Sequence, residues 1–377
     1  MAEQTDNPTA LPGLRVLDFS RVLAGPFATM MLADLGAEVI KVERPGVGDD
    51  TRHWGPPYDP QGQATYFDAV NRNKQSVAID LAEPDDLSRA RQLAAESDVI
   101  VENFRPGLLE RFGLGYEELR VSNPGLIYCS ITGFGRGDLG AALPGYDLLV
   151  QAVGGLMSVT GEASGEPQKV GVALVDVLSG LFATVGILAA LNHRNATGEG
   201  QLVEVDLMSA LLAALVNQGS AYTAGGVVAS RMGNAHPSIA PYALFETGDG
   251  ELVLAVGNDR QFQSLCEVLD APGLAQDSRY LTNPERVANR DALRADLESL
   301  LATRPAGEWA TLLTAARVPA GVVNDIAGAF ALAQQIGLDP IIELPNPDGT
   351  AVRVTRNPIR LSATPARYLS APPPLPD

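Results

Sequence analysis

The chain has 377 residues, 46% of them apolar, enough for large cores and, by length, for two or three domains. With 45 acidic and 27 basic residues its net charge is −18. That balance excludes a nucleic-acid binder, which needs a basic footprint, and leaves any anionic ligand to local Arg and Lys rather than to the overall field.

Two cysteines, Cys129 and Cys266, form neither a disulfide framework nor a zinc pattern. His53, His193 and His236 are scattered without metal-ligand spacing, so no metal is expected. The N-terminal stretch is acidic and polar, without the features of a signal peptide. No long apolar stretch is free of polar breaks, so no membrane span is expected. These features give the expectation of a cytoplasmic protein with neither membrane nor nucleic acid as a partner.

Taken in chain order, strand-like and helix-like segments alternate. Leu14–Ser20 is apolar and β-rich, Pro26–Leu35 is helical, and Gly36 stands where a helix stop belongs. Glu38–Glu43 and Ser76–Leu81 read as the second and third strands. Pro84–Ser97 is an amphipathic helix with Pro and two Asp in its first turn, as helix starts prefer. Asp98–Phe104 and Leu126–Thr132 read as the fourth and fifth strands. The rhythm predicts a mostly parallel sheet covered on both faces by helices. The short, largely apolar strands suit burial on both sides.

The texture changes after about residue 225. Ala240–Val256 predicts a hairpin turning at Asp249-Gly250. Helical segments follow at Arg260–Leu269, Glu285–Ala302 and Ala306–Arg317. Ile341–Ser362 has strand character around Asp348-Gly349, and the tail is Pro-rich. The expected fold is α/β. The part after about residue 225 reads as a smaller α+β domain, and periodicity leaves open whether the C-terminal part returns to the first.

Asp176 is the only charged group in the apolar run from Val170 to Leu191. Ionised carboxylates are seldom buried without hydrogen bonds or a counter-charge, because desolvation is costly. Val170–Val175 reads as a short buried strand and Val177–Leu191 as a helix, which puts Asp176 at the junction. There it would cap the helix by accepting from its first free N–H groups. The same junction is where α/β folds place ligands, and a helix N-terminus favours the anionic form that a nucleophilic carboxylate needs. Cap and nucleophile are both open for this residue.

Other motifs are absent. There is no GxxxxGK[ST] phosphate loop and no G-x-S-x-G elbow, and Gly133-Phe-Gly135-Arg-Gly137 lacks the dinucleotide spacing. Strand ends do carry Lys41-Val-Glu-Arg44 and Glu102-Asn-Phe-Arg105, with Arg111 soon after. Arginines suit bidentate phosphate contacts, and Phe104 could stack on a base.

A series of motifs runs along nearly the whole chain, from about residue 11 to 362. It begins with Leu11-Pro-Gly-Leu-Arg-Val-Leu-Asp-Phe-Ser20, Ala24-Gly-Pro26, Gly36-Ala-Glu-Val-Ile-Lys-Val-Glu-Arg-Pro45 and Gly48-Asp49. Asn73-Lys74, Val101-Glu-Asn-Phe-Arg-Pro-Gly107, Ile131-Thr-Gly-Phe-Gly135, Gly145-Tyr-Asp147, Asp176 and Thr197-Gly-Glu-Gly-Gln201 follow in order. Together these motifs resemble those of the family III CoA-transferases.

The resemblance implies an interlocked homodimer, each chain with a large Rossmann-like domain (1–224), a smaller α+β domain (225–330) and a C-terminal segment (331–377) returning to the large domain. It also implies acyl-CoA and carboxylic acids as substrates and no permanently bound cofactor. Asp176 would be the nucleophile, attacking the thioester to give a mixed anhydride and then an aspartyl-CoA thioester, with Tyr146 as the active-site tyrosine. Leu23, Ala24, Arg44, Ile79, Asp80, Asn103, Phe104, Arg105 and Arg111 fall on CoA-binding positions of the family. Leu23 and Pro144 replace a Gln and a Lys of formyl-CoA transferase, and that enzyme's glycine-rich insertion is missing, so formate is not the expected acceptor. The segment Arg231-Met-Gly-Asn-Ala-His236 resembles its counterpart in glutarate-type succinyl-CoA:dicarboxylate transferases. Arg231, His236 and Arg52 are therefore the candidates for binding the acceptor acid, His53 a lesser one. The alternative is an α-methylacyl-CoA racemase, which shares the fold but needs a second base titrating near neutrality where this chain has Tyr146. A non-catalytic acyl-CoA-binding protein is a further reading, against which the intact Asp176 speaks.

Overall fold

The computed structural model describes residues 8–346 and 349–376. The chain divides into two compact units. The first comprises residues up to Leu156, then Lys169–Val227, and the C-terminal segment from Asp339. The second comprises Met157–Gln168 and Val228–Leu338. The expected divisions at 224 and 330 thus shift, and the excursion at Met157–Gln168 corrects the expectation of a first domain continuous to residue 224.

In the first unit six parallel strands run β1 (Arg15–Asp18), β2 (Glu38–Glu43), β3 (Lys74–Ala78), β4 (Val99–Glu102), β5 (Ile127–Thr132) and β6 (Leu202–Asp206). Their order is β3-β2-β1-β4-β5-β6, the doubly wound arrangement. Period-2 alternation divides the side chains between two cores. Val16, Val99, Val101, Ile127, Cys129 and Ile131 enter one. Leu17, Ile100 and Tyr128 enter the other.

The helix Ala24–Asp34 ends at Leu35, and Gly36 follows at φ +106°, as expected of a stop. β6 was not read from the sequence: it is short and half-buried, and its Glu204 interrupts the apolar run.

The helix that leads into β6 corrects two expectations. It runs from Leu174 to Thr197, and no strand precedes it. Val172 is 62% exposed, so the residues before the helix are not a buried strand. By length and composition this helix could also cross a membrane, against the expectation that nothing here qualifies. Small residues let it pack tightly instead. A Cβ on Gly180 would lie 2.6 Å from the Ala24 carbonyl, and Ala183, Ile187 and Ala190 are buried in the same core.

Beneath the carboxyl ends of β1–β3 lies a buried network of six charges. Asp18 accepts from the Ser20 N–H (2.9 Å), the Ser20 hydroxyl, Thr29 Oγ1 (2.6 Å) and Lys74 Nζ (3.2 Å). Lys41 Nζ donates to Asp49 and to the Ser20 carbonyl, both at 2.9 Å. Glu43 takes a bidentate pair from Arg52 at 2.7 Å and the Ser76 hydroxyl. Three carboxylates balance three cations. Burial alone would raise the pKa of Asp18 and Asp49, but the lysines and hydrogen bonds hold both below the ordinary value.

A second polar hub ties the C-terminal segment to this unit. Arg72 Nε and Nη2 donate to Asp34 at 2.9 and 2.6 Å. Asn73 and Asn357 donate to the same carboxylate at 2.9 Å. The segment carries the antiparallel pair β10 (Ile341–Pro345) and β11 (Ala351–Thr355); Asp348, expected near their turn, lies outside the described residues.

The second unit is α+β. β7 (Tyr242–Glu246), β8 (Glu251–Ala255) and β9 (Ala320–Val322) form an antiparallel sheet. The expected hairpin is β7–β8, closed by the Thr247 N–H to the Gly250 carbonyl. The long helix expected at 285–302 is two, Asn283–Ala288 and Arg290–Leu301. Arg286 is fully buried and holds the Ala240 and Tyr280 carbonyls and Asp259.

Removing one member of a buried ion pair strands the other without its counter-charge. Lys41→Met is therefore expected to destabilise the protein by about 3–5 kcal/mol, and Lys41→Met combined with Asp49→Asn by less than that. Urea denaturation of the three proteins checks the order; a double variant weaker than the single one would refute it.

Candidate active site

In doubly wound sheets, ligands bind outside the carboxyl ends of the strands where the order reverses. Here that point lies between β1 and β4. The two loops leaving it are bonded to each other: the Arg21 N–H donates to Asn103 Oδ1 (2.8 Å), and Asn103 Nδ2 donates to the Arg21 carbonyl (2.7 Å). The Arg21 guanidinium lies over the Phe104 ring at 5.1 Å, and Glu102 accepts from the Phe104 N–H at 2.9 Å.

Val22, next in the chain, has φ +69°, a strained conformation for a β-branched residue. Its N–H donates to both oxygens of Asp49 at 3.2 Å, so the buried network holds the strained turn in place.

Two cavities meet at Arg21 and Phe104. One, of about 200 Å³, contains Leu23, Ala24, Asn103, Arg105, Tyr146 and Asp176. The other, of about 360 Å³, contains Arg44, Ile79 and Asp80, with Leu108 and Phe112 facing them. The structure thus brings together most of the residues the sequence singled out. Arg111 is exposed on the turn Leu109–Phe112 and lines neither cavity.

Tyr146 reaches the cleft because Gly133, after β5, and Gly145 cross backbone to backbone. A Cβ on Gly133 would lie 2.4 Å from the Gly145 Cα. Tyr146 is 66% exposed, and the helix Asp147–Val153 begins directly after it.

Asp176 sits in the first turn of its helix, whose capping position is Ala173, so the expected cap role is corrected. The cap comes from elsewhere. Asp147 Oδ1 accepts from the N–H groups of Val175 (2.8 Å) and Asp176 (3.3 Å). Burial, and secondly the charge of Asp147, push the Asp176 carboxyl up to about 7. Asp176 and Asp147 in turn add to the effect of burial in raising Tyr66.

The acceptor candidates fare differently. Arg52 is committed to Glu43 and stacks on Phe67 at 3.7 Å, and it does not line the Asp176 cleft; the buried network claims it. His53 Nε2 lies 2.9 Å from the Val47 carbonyl, in Arg52's loop. Arg231 and His236 belong to the second unit. Arg231 donates to the Glu162 and Gly165 carbonyls at 3.2 and 2.7 Å, and His236 Nδ1 accepts from the Ser238 N–H at 3.0 Å. Among the described residues no group of three or more metal-ligating side chains converges.

Arg21 and Asp147 were not singled out from the sequence. Arg21 carried a readable signal, since it leaves the end of β1 as Asn103 leaves β4. Asp147 adjoins Tyr146, but its bonds run to residues 28 and 29 positions later, which no local pattern encodes.

A doubly wound domain with a carboxyl-bearing cleft at its switch point fits an enzyme with a long, part-apolar and part-polar ligand. The chain belongs to CoA-transferase family III, whose profile matches residues 11–376, and it is a CoA-transferase. It is 44% identical over 373 residues to the succinate–glutarate CoA-transferase of Agrobacterium fabrum, covering 98% of this chain and 93% of that one. It is 41% identical over 351 residues to the acetyl-CoA:oxalate CoA-transferase of Acetobacter aceti, covering 93% and 88%. A solved CaiB/BaiF family protein from Brucella suis superposes with a TM-score of 0.86 at 44% identity, covering 98% and 97% of the two chains.

The raised Asp176 carboxyl has a consequence for stability. Its folded pKa, about 7, lies above the unfolded value of about 3.9, so the native state holds the proton more tightly. The contribution to stability is complete below the unfolded value and is lost as pH rises through about 7. Asp176→Asn removes the charge, and is expected to be more stable than wild type above neutrality with the gap closing in acid. Thermal denaturation across that range checks it; a gap independent of pH would contradict the buried-acid account.

Proposed function

We propose that the protein moves CoA between two carboxylic acids through a covalent intermediate on Asp176, with a dicarboxylate as one partner. The observation that carries this reading is the Asp176 carboxyl facing a cleft that joins a second cavity at Arg21 and Phe104. A CoA thioester laid across both would place its nucleotide by Arg44, Ile79 and Asp80. Its pantetheine arm would pass Phe104, and its thioester would reach Asp176.

The chemistry then needs only carboxylates and a thiolate. Asp176 attacks the thioester carbon, the C–S bond breaks, and an acyl-aspartyl anhydride forms with free CoA thiolate. The thiolate attacks Cγ of Asp176, releasing the donor carboxylate and leaving an aspartyl-CoA thioester. The acceptor carboxylate attacks that carbon and expels the thiolate. The thiolate finally attacks the new acyl carbon, restoring the Asp176 carboxylate. Two negative charges are present before and after each step, and no proton or electron is exchanged. Water must be kept from the anhydride, which a closed cleft does.

The relatives' names support a diacid: succinate and glutarate in one, oxalate in the other. They do not favour the racemase. With succinyl-CoA and a panel of acids, mass spectrometry is expected to show new acyl-CoA products with wild type and none with Asp176→Ala. Wild-type exchange by Asp176→Ala would end the proposal.

The apolar side chains left in the open on the Asp176 helix and its neighbours, among them Phe182, Val185 and Val216, support a second copy of the chain as partner. The interlocked homodimer implied by the family resemblance is proposed on that ground. Wild type is expected to sediment as a dimer and Val185→Glu to shift toward monomer; a monomeric wild type would rule it out.

A further inference from the structure

An acid in the first turn of a helix ordinarily gains from the free N–H groups there, which lower its pKa and blunt its basicity. Asp176 is denied them. The Val175 and Asp176 N–H groups both point at Asp147 Oδ1. The other oxygen of Asp147 accepts from Gln151 Nε2 at 2.6 Å, and Gln151 Oε1 accepts from the Val170 N–H at 2.9 Å. One acidic side chain and one amide therefore fasten both the helix start and the loop leading into it.

From this geometry we infer that Asp147 is a positioning residue that takes the helix's free donors and presents its own negative charge to Asp176, keeping that carboxyl poorly solvated and basic. The inference rests on the proposed role of Asp176 as nucleophile. Asp147 is not a catalytic residue, since it need not touch substrate. Its effect is to remove the stabilisation that Asp176 would otherwise enjoy before attack, so that more of the carboxylate's basicity is available to the thioester carbon. The other titratable groups near Asp176 are Tyr66, on the turn Thr65–Asp68, and Tyr146, with Arg21, Asp50 and Arg105 elsewhere in the cleft. Arg21 is paired with Asp50 at 3.2 Å, which leaves Asp147 as the acid bonded to the backbone of the Asp176 turn.

Two properties of Asp147 can be separated. An Asn keeps an oxygen that accepts from the helix N–H groups but loses the charge; an Ala loses both. The first measurement is the titration of Asp176 in the ligand-free protein, followed by carbon NMR of carboxyl-labelled Asp and assigned by its absence in Asp176→Asn. The second is the pH dependence of kcat/KM for exchange from succinyl-CoA. In Asp147→Asn both the titration and the acidic limb of the profile are expected to move down by at least about one pH unit, a tenfold change in proton affinity. The rate on the alkaline plateau is expected to fall while KM for the thioester holds. Asp147→Ser, a second neutral cap, serves if the Asn variant folds poorly beside Gln151.

An unchanged Asp176 titration in a folded neutral-cap variant would overturn the inference. So would equal losses of kcat in the Asn and Ala variants with the profile unmoved, since a purely structural cap predicts that. If the titration moves but neither wild type nor variant exchanges CoA, the effect on Asp176 stands and the proposed exchange from succinyl-CoA through Asp176 fails instead.

Discussion

The site depends on a set of largely buried charges. Lys41, Asp49, Asp18, Lys74, Glu43 and Arg52 lie under the carboxyl ends of the first three strands, each satisfied by another member or by a backbone group. Such burial is weak evidence for stability, because desolvation consumes most of the Coulomb gain. Its effect here is to fix geometry. Asp49 holds the strained Val22 turn, and Lys41 holds the Ser20 carbonyl two residues earlier. From that turn the chain passes to Leu23 and Ala24, which line the cleft, and on into the helix that packs on Gly180 of the Asp176 helix. Loosening the network would disturb the cleft floor and the seat of Asp176 together.

Asp176 and this network show opposite treatments of a carboxylate. Asp18 and Asp49 are surrounded by donors and held ionised. Asp176 is half-buried with an acid for a neighbour, and its proton is held to near neutrality. A structural carboxylate must not change state, whereas a nucleophile must be reactive when ionised, and reactivity follows basicity. The difference lies in where the N–H and N–H₃⁺ donors point, not in how deeply each acid is buried.

Much of the large unit was legible because its signals are local. The apolar runs at Val16–Leu17 and Val99–Val101, Pro84 at a helix start and Gly36 at a helix end each announce an element within a few residues. The misreadings have one physical cause, contacts distant in sequence. Val170–Val175 looks like a buried strand, yet it pairs with none of the six strands and Val172 stands 62% exposed. β6 forms despite weak periodicity because β5 offers it five paired positions. Arg52 looked free because Glu43, its partner, lies on another element. The cap on the Asp176 helix was assigned to the nearest acid, while the one that serves arrives from the start of another helix.

The same distinction bears on how one scaffold could serve different acids. Under the proposed transfer, CoA stays anchored while two acids exchange at its sulfur. The anchor draws on Arg21, Asn103 and Phe104, whose positions follow from the strand ends and the reciprocal amide bond between them. Altering these would affect every substrate alike. The acid itself would be met by side chains that no such bond constrains. A substitution there could change the acceptor without touching the switch point or the helix that carries Asp176. Selectivity between acids would then be separable from the chemistry of transfer. On this argument an acceptor variant should alter KM for the acid while leaving the acidic limb set by Asp176 and Asp147 where it was.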